Sequence, residues 1–101
     1  MGFVKVLQEN NLGLNEIKGV QADGKNVLVA NINGKYFAIG NVCTHMGCRL
    51  SSGKLIGENV ECPCHGSTYN VKSGSTVKGP AKEPEPVYQV KVEIGQILVN
   101  V

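Results

Sequence analysis

Two short stretches, Cys43-Thr44-His45-Met46-Gly47-Cys48 and Cys62-Pro63-Cys64-His65-Gly66-Ser67, hold all four cysteines and both histidines of this 101-residue chain. Any fold it adopts must bring them together or leave six chemically valuable side chains without a use. Each stretch can offer one sulfur and one imidazole to a common centre, so the chain is expected to carry a metal. The length suits one domain, 1–101, with a modest core that a structural clamp would help.

The rest of the chain reads as strands. Asp23-Gly24 divides Glu16–Ala22 from Lys25–Ile32, and Asn33-Gly34 divides that segment from Lys35–Ile39. Both pairs suit two-residue hairpin turns at positive φ. Near the end, Tyr88, Val90, Val92 and Ile94 alternate with Gln89, Lys91 and Glu93, and Gly95-Gln96 is the expected turn into Ile97–Val101. Glycines and β-branched residues interrupt every candidate helix of ten residues or more. The fold class is therefore all-β: an antiparallel sandwich or barrel built from the two ends of the chain. A loop-rich subdomain at about 41–81 carries the cysteines, with short strands at Asn59–Glu61 and Thr68–Val71.

Composition removes several function classes. Ten Lys plus Arg against eight Asp plus Glu give a net charge of +2 with no basic block, so nucleic acid is not expected as a partner. Residues 1–10 alternate apolar and polar and lack the core of a signal peptide. No stretch approaches the roughly 18 apolar residues of a membrane span. The expectation is a soluble, unexported and unanchored protein.

Cys43-x-His45 and Cys62-x-x-His65 supply two thiolates and two imidazoles, and two centres fit that inventory. A structural zinc would take all four in a tetrahedron. An iron-sulfur centre in which two His replace two Cys on one iron would also use them, each loop giving its sulfur to one iron and its imidazole to the other. The mixed halves favour the second arrangement.

Over Val42–Tyr69 the sequence resembles the cluster-binding loops of Rieske iron-sulfur proteins, especially those of cytochrome bc-type complexes. The resemblance implies a [2Fe-2S] cluster, with Cys43 and Cys62 on the buried ferric iron and His45 and His65 on the outer, redox-active iron. It implies a disulfide between Cys48 and Cys64, worth about 3 kcal/mol for a loop of this size; two buried free thiols are the alternative. It also gives Ser67 and Tyr69 a tuning role, with the Ser hydroxyl on a bridging sulfide and the Tyr hydroxyl on Cys43. Spaced two apart on a strand, they would share one face. A turn serine and a packed core tyrosine are the plain alternative. Gly79-Pro80-Ala81 looks like the start of the family's cluster-covering loop, although Lys82-Glu83-Pro84-Glu85-Pro86 is more charged than in bc-type members and would also suit a linker.

What the resemblance implies for function is one-electron transfer between redox partner proteins that dock transiently near His45 and His65. Four protein ligands leave no open coordination position for a substrate, so the chain is not expected to be an enzyme, and it is expected to be a monomer. Imidazole deprotonation in the oxidised state would make the potential fall with rising pH. The size is similar to that of the soluble ferredoxins feeding aromatic-ring oxygenases, which usually lack the extra cysteines and the Ser and Tyr pair. A subunit of an oxygenase or respiratory complex, and a zinc-stabilised interaction module, are the alternatives. A cytoplasmic location is expected, although a disulfide sits uneasily in a reducing cytosol. Ten Asn residues argue against the thermophile in which it would be common.

Overall fold

The computed structural model describes residues 2–43, 47–64, 66–79 and 83–101. Among these there are ten strands, two single 3-10 turns (Glu9–Asn11 and Leu50–Ser52) and no α-helix. Six strands form one antiparallel sheet: β1 (Phe3–Gln8), β2 (Ile17–Ala22), β3 (Lys25–Ile32), β4 (Lys35–Gly40), β9 (Val87–Glu93) and β10 (Gln96–Asn100). Their order is β1-β10-β9-β4-β3-β2, and the two end strands lie against each other, so the sheet nearly closes into a barrel. The smaller sheet, β5 (Lys54–Ile56), β6 (Asn59–Glu61), β7 (Thr68–Asn70) and β8 (Thr76–Lys78), belongs to the cysteine-bearing insert.

Side-chain alternation on β3 joins the two parts. Val27 and Val29 point into the barrel with Ala38, Ile97 and Val99, while Leu28, Ala30 and Ile32 point the other way, onto Leu50, Val60, Tyr69 and Val71 of the insert. Buried on both faces, β3 reads as a nearly continuous apolar run. Burial of each such Leu, Ile or Val side chain contributes about 1.5–3 kcal/mol. The wall formed by β3 and β4 thus serves the barrel and supports the insert.

The Asp23-Gly24 and Asn33-Gly34 turns form as expected, all four residues at positive φ. The last hairpin departs from expectation. Glu93 pairs with Gln96, so the turn residues are Ile94 (φ 50°) and Gly95 (φ 72°), one position earlier than Gly95-Gln96. Ile94 therefore leaves the strand's apolar face and is 99 % exposed. The two-residue geometry, with right-handed strands on either side, wins over side-chain preference: a β-branched residue is forced into the left-handed region. Ile94→Asn should relieve that strain and raise stability by about 1 kcal/mol, or roughly 4–8 °C in Tm for a chain of this size. Thermal denaturation followed by circular dichroism checks it; a lower Tm would contradict the strain argument.

Strands β5 and β8 were not legible in the sequence, being three residues long and bounded by Gly53 and Gly57 in one case and by Ser75 and Gly79 in the other. Among the described residues no helix is long and apolar enough to cross a membrane.

Candidate metal centre

The two cysteine stretches fold as matching loops. In the first, the Cys43 N–H donates to the carbonyl of Cys48 (2.7 Å) and the Gly47 N–H donates back to the carbonyl of Cys43 (2.9 Å). In the second, the Cys62 N–H donates to the Ser67 carbonyl (2.7 Å) and the Gly66 N–H to the Cys62 carbonyl (3.2 Å). Gly47 and Gly66 adopt φ of 76° and 75°, the left-handed conformation that lets the chain reverse at the same offset from each leading cysteine. Equal spacing, Cys-x-x-x-Gly in both stretches, is the sequence signal for these two glycines.

Both leading cysteines turn inward. Cys43 and Cys62 are each 2 % exposed and share a core with Leu50, Val60, Tyr69 and Val71. Tyr69, fully buried, places its hydroxyl 3.5 Å from Cys43 Sγ, the partner that the family resemblance implies for it. It is at once a core side chain and a sulfur partner. Ser67 is also fully buried, and its carbonyl closes the second loop.

Cys48 and Cys64 are joined by a disulfide across 16 residues, with Cα atoms 6.5 Å apart, so the free-thiol alternative falls. Cys48 is half-buried and Cys64 exposed. The sulfurs of Cys48, Cys62 and Cys64 lie within 4.8 Å of one another. That trio is not itself a metal site, because two of its sulfurs are bonded together; it shows instead that the lock sits against the remaining one. His45, His65 and Pro80 lie outside the described residues. Gly79 is exposed at the end of β8.

The base of the first loop is held by a clamp that sequence reasoning missed. Val42 and Arg49 form an isolated bridge. Beneath it the Asn41 side chain accepts from the Ser51 N–H (2.8 Å) and donates to Ser51 Oγ (3.0 Å), while the Leu50 N–H donates to the Asn41 carbonyl (2.8 Å). Gly19 on β2 makes room for this pair: a Cβ there would stand 2.5 Å from Ser51 Oγ and 2.6 Å from Asn41 Nδ2. Glu85 and Pro86 tie the chain back to its surroundings through hydrogen bonds from the Glu85 N–H to the Gly74 carbonyl and from the Gly40 N–H to the Pro86 carbonyl.

The donor set fits an iron-sulfur centre. Two thiols shielded from water and delivered by matched loops, one of them contacted by a phenol, are soft ligands in an apolar pocket. The comparisons with known proteins agree. Residues 2–93 match the family model for the Rieske [2Fe-2S] domain. The ferredoxin component of a naphthalene 1,2-dioxygenase system from Pseudomonas putida is 31% identical over 85 residues, 84% of this chain and 82% of that protein. The cytochrome b6-f complex iron-sulfur subunit of Chlorobaculum tepidum is 35% identical over 81 residues, 80% of this chain but only 44% of that subunit. Among solved structures, a chain in a complex of reduced oxygenase and oxidized ferredoxin in carbazole 1,9a-dioxygenase superposes with a TM-score of 0.90 at 31% identity, covering 96% of this chain and 91% of that one. The zinc reading of the two stretches therefore gives way to the iron-sulfur one: this chain belongs to the Rieske [2Fe-2S] domain family.

Proposed function

We infer that this chain is a small soluble one-electron carrier, with Cys43 and Cys62 holding one iron of the cluster and His45 and His65 the other. The observation that carries the reading is the convergence of two matched loops on two buried thiols, one of them contacted by Tyr69. When bound, the cluster supplies a site that takes up and releases one electron, moving its core from neutral to a single negative charge. The protein's share of the work is structural and electrostatic. The disulfide and the Asn41–Ser51 clamp hold the loops in place, and the apolar floor of Leu50, Val60 and Val71 keeps water from the sulfurs. With all four positions filled by the protein, the chain is a carrier and not an enzyme. Monomeric action in the cytoplasm, with transient docking beside His45 and His65, completes the proposal.

Metal and sulfide analysis with EPR spectroscopy tests it. Two irons and two sulfides per chain, with a signal appearing only on reduction, are expected; one zinc and no signal would refute it.

The Tyr69 hydroxyl beside Cys43 Sγ supports a carrier on the high-potential side. A donor on Cys43 Sγ withdraws electron density and favours the reduced state. Tyr69→Phe keeps the core filled and removes only that hydroxyl. It should lower the potential by about 40 mV, the equivalent of a hydrogen bond worth ~1 kcal/mol for one electron. Ser67→Ala should act in the same direction. Redox titration at fixed pH checks both, and an unchanged potential would remove the tuning role. The potential should also fall with pH, by up to about 59 mV per unit for each coupled proton. The sign follows because reduction above the oxidised-state imidazole pKa takes up a proton.

Membership of an oxygenase system is a second reading, favoured by near-full-length similarity to a dioxygenase ferredoxin component and by the solved oxygenase–ferredoxin complex. Under it, the acceptor would be the iron-sulfur domain of an oxygenase.

A further inference from the structure

The bases of the two loops carry exposed cations beside exposed apolar side chains. Arg49 follows Cys48 and is bridged to Val42, which is 39 % exposed. Lys78 pairs across the small sheet with Thr68, the residue that leaves the second loop. The register shifts between Thr68 and Tyr69, so that Val77 has no partner of its own on β7 and stands 55 % exposed. Such bulges re-aim side chains beside functional sites. Successive cross-strand partners Lys54, Glu61, Thr68 and Lys78 share the outer face of this sheet, a row that holds two cations to one half-buried carboxylate. Glu83, beyond Gly79, already has a partner. Among the described residues the ion pairs are Lys72–Glu58 and Lys91–Glu93, and neither Arg49 nor Lys78 belongs to one.

Resting on the carrier reading, we propose that Val42, Val77, Arg49 and Lys78 form the docking surface, and that the partner it fits is an acidic protein face: carboxylates around a small apolar centre. The uncompensated cations explain themselves by what they meet. They steer such a face toward the loops and offset the negative charge that reduction adds behind them, so docking survives in both oxidation states.

Small redox probes of opposite charge read the local field without a known partner. The reduced protein passes one electron to ferricyanide or to tris(phenanthroline)cobalt(III), and stopped-flow rates are compared between about 10 mM and about 0.5 M salt. The ferricyanide rate should fall ~3- to 10-fold with salt and the cobalt rate should rise. In Arg49→Glu/Lys78→Glu the two trends should exchange. Lys5→Glu/Lys35→Glu, the same change in charge placed on the barrel, should leave both nearly as they were. A binding readout goes with it: affinity for poly-L-glutamate at low salt should drop about 10-fold in the first pair and little in the second. Equal effects of the two pairs would mean steering by net charge alone and would overturn the proposal. So would binding to phosphatidylserine vesicles that is lost in the Arg49/Lys78 pair while poly-L-glutamate binding persists, since the surface would then serve a membrane. A chain without two irons would fail earlier, in the metal analysis, and would take the carrier reading with it.

Discussion

Cys62→Ser will leave a chain without iron and without visible absorbance, while Cys64→Ser, two residues away, will keep its iron. The contrast follows from where the sulfurs sit. Cys62 is 2 % exposed at the inner end of its loop, and a serine hydroxyl there is a harder and weaker ligand. Because metal binding and folding free energy are linked, the loss of iron also destabilises the domain. Tm should fall by more than 10 °C, since each ~1 kcal/mol moves a domain of this size by about 4–8 °C. Cys64 is exposed and committed to Cys48, so its removal takes away the lock alone, about 3 kcal/mol by the loop-closure estimate. Iron content, sulfide content and Tm of the two purified variants check the pair. Two irons retained by Cys62→Ser, or none by Cys64→Ser, would exchange the roles assigned to these cysteines.

That division of labour shows how far the sequence could be read. The hairpins at Asp23-Gly24 and Asn33-Gly34 were legible because their chemistry is local: an Asn or Asp followed by Gly satisfies the turn by itself. Ile94 was not, because its exposure depends on which residue of β9 opposes Gln96, a matter of register that alternation alone does not settle. The six cysteines and histidines announced a metal by their clustering. Their separate roles came through family resemblance, and the pairing of Cys48 with Cys64 is a fact of the fold that spacing did not determine. The offset of Tyr69 from the second loop marked only a face shared with Ser67; its approach to Cys43 came from the resemblance, and in the fold the two atoms lie 3.5 Å apart.

The supporting framework stayed hidden for a different reason. Asn41 looks like any loop asparagine until Ser51 is brought beneath it, and Gly19 looks like a weak point in β2 until both side chains fill the space above it. Each of these depends on a neighbour at least ten residues away. Sequence periodicity carries no signal for such contacts, whereas it does carry one on β9, where Tyr88 and Val90 turn to the barrel core and Gln89 and Lys91 stay exposed.

Gly53→Ala is the sharpest test of that framework. Gly53 ends the short turn at Leu50–Ser52 with φ −92° and ψ −150°, a conformation open to any residue, so an alanine costs nothing in backbone preference. What it meets is the backbone: a Cβ at this position would overlap the Glu61 carbonyl oxygen far inside van der Waals contact. Glu61 lies on β6 directly before Cys62, and its strand is fixed on both sides, by Lys54 on β5 and Thr68 on β7. The carbonyl cannot retreat without carrying the Cys62 loop with it. Overpacking against rigid backbone should cost about 3 kcal/mol or more and lower iron occupancy along with Tm, by roughly 10–20 °C. Gly57→Ala separates this from a general intolerance of glycine replacement. At φ +61° with nothing within 4 Å of a built Cβ, Gly57 would charge only the conformational cost of about 1 kcal/mol, far from the thiols. Thermal melts and iron per chain for the two variants decide the matter. If Gly53→Ala matches Gly57→Ala in both, the contact between the Leu50–Ser52 turn and β6 does not position Cys62.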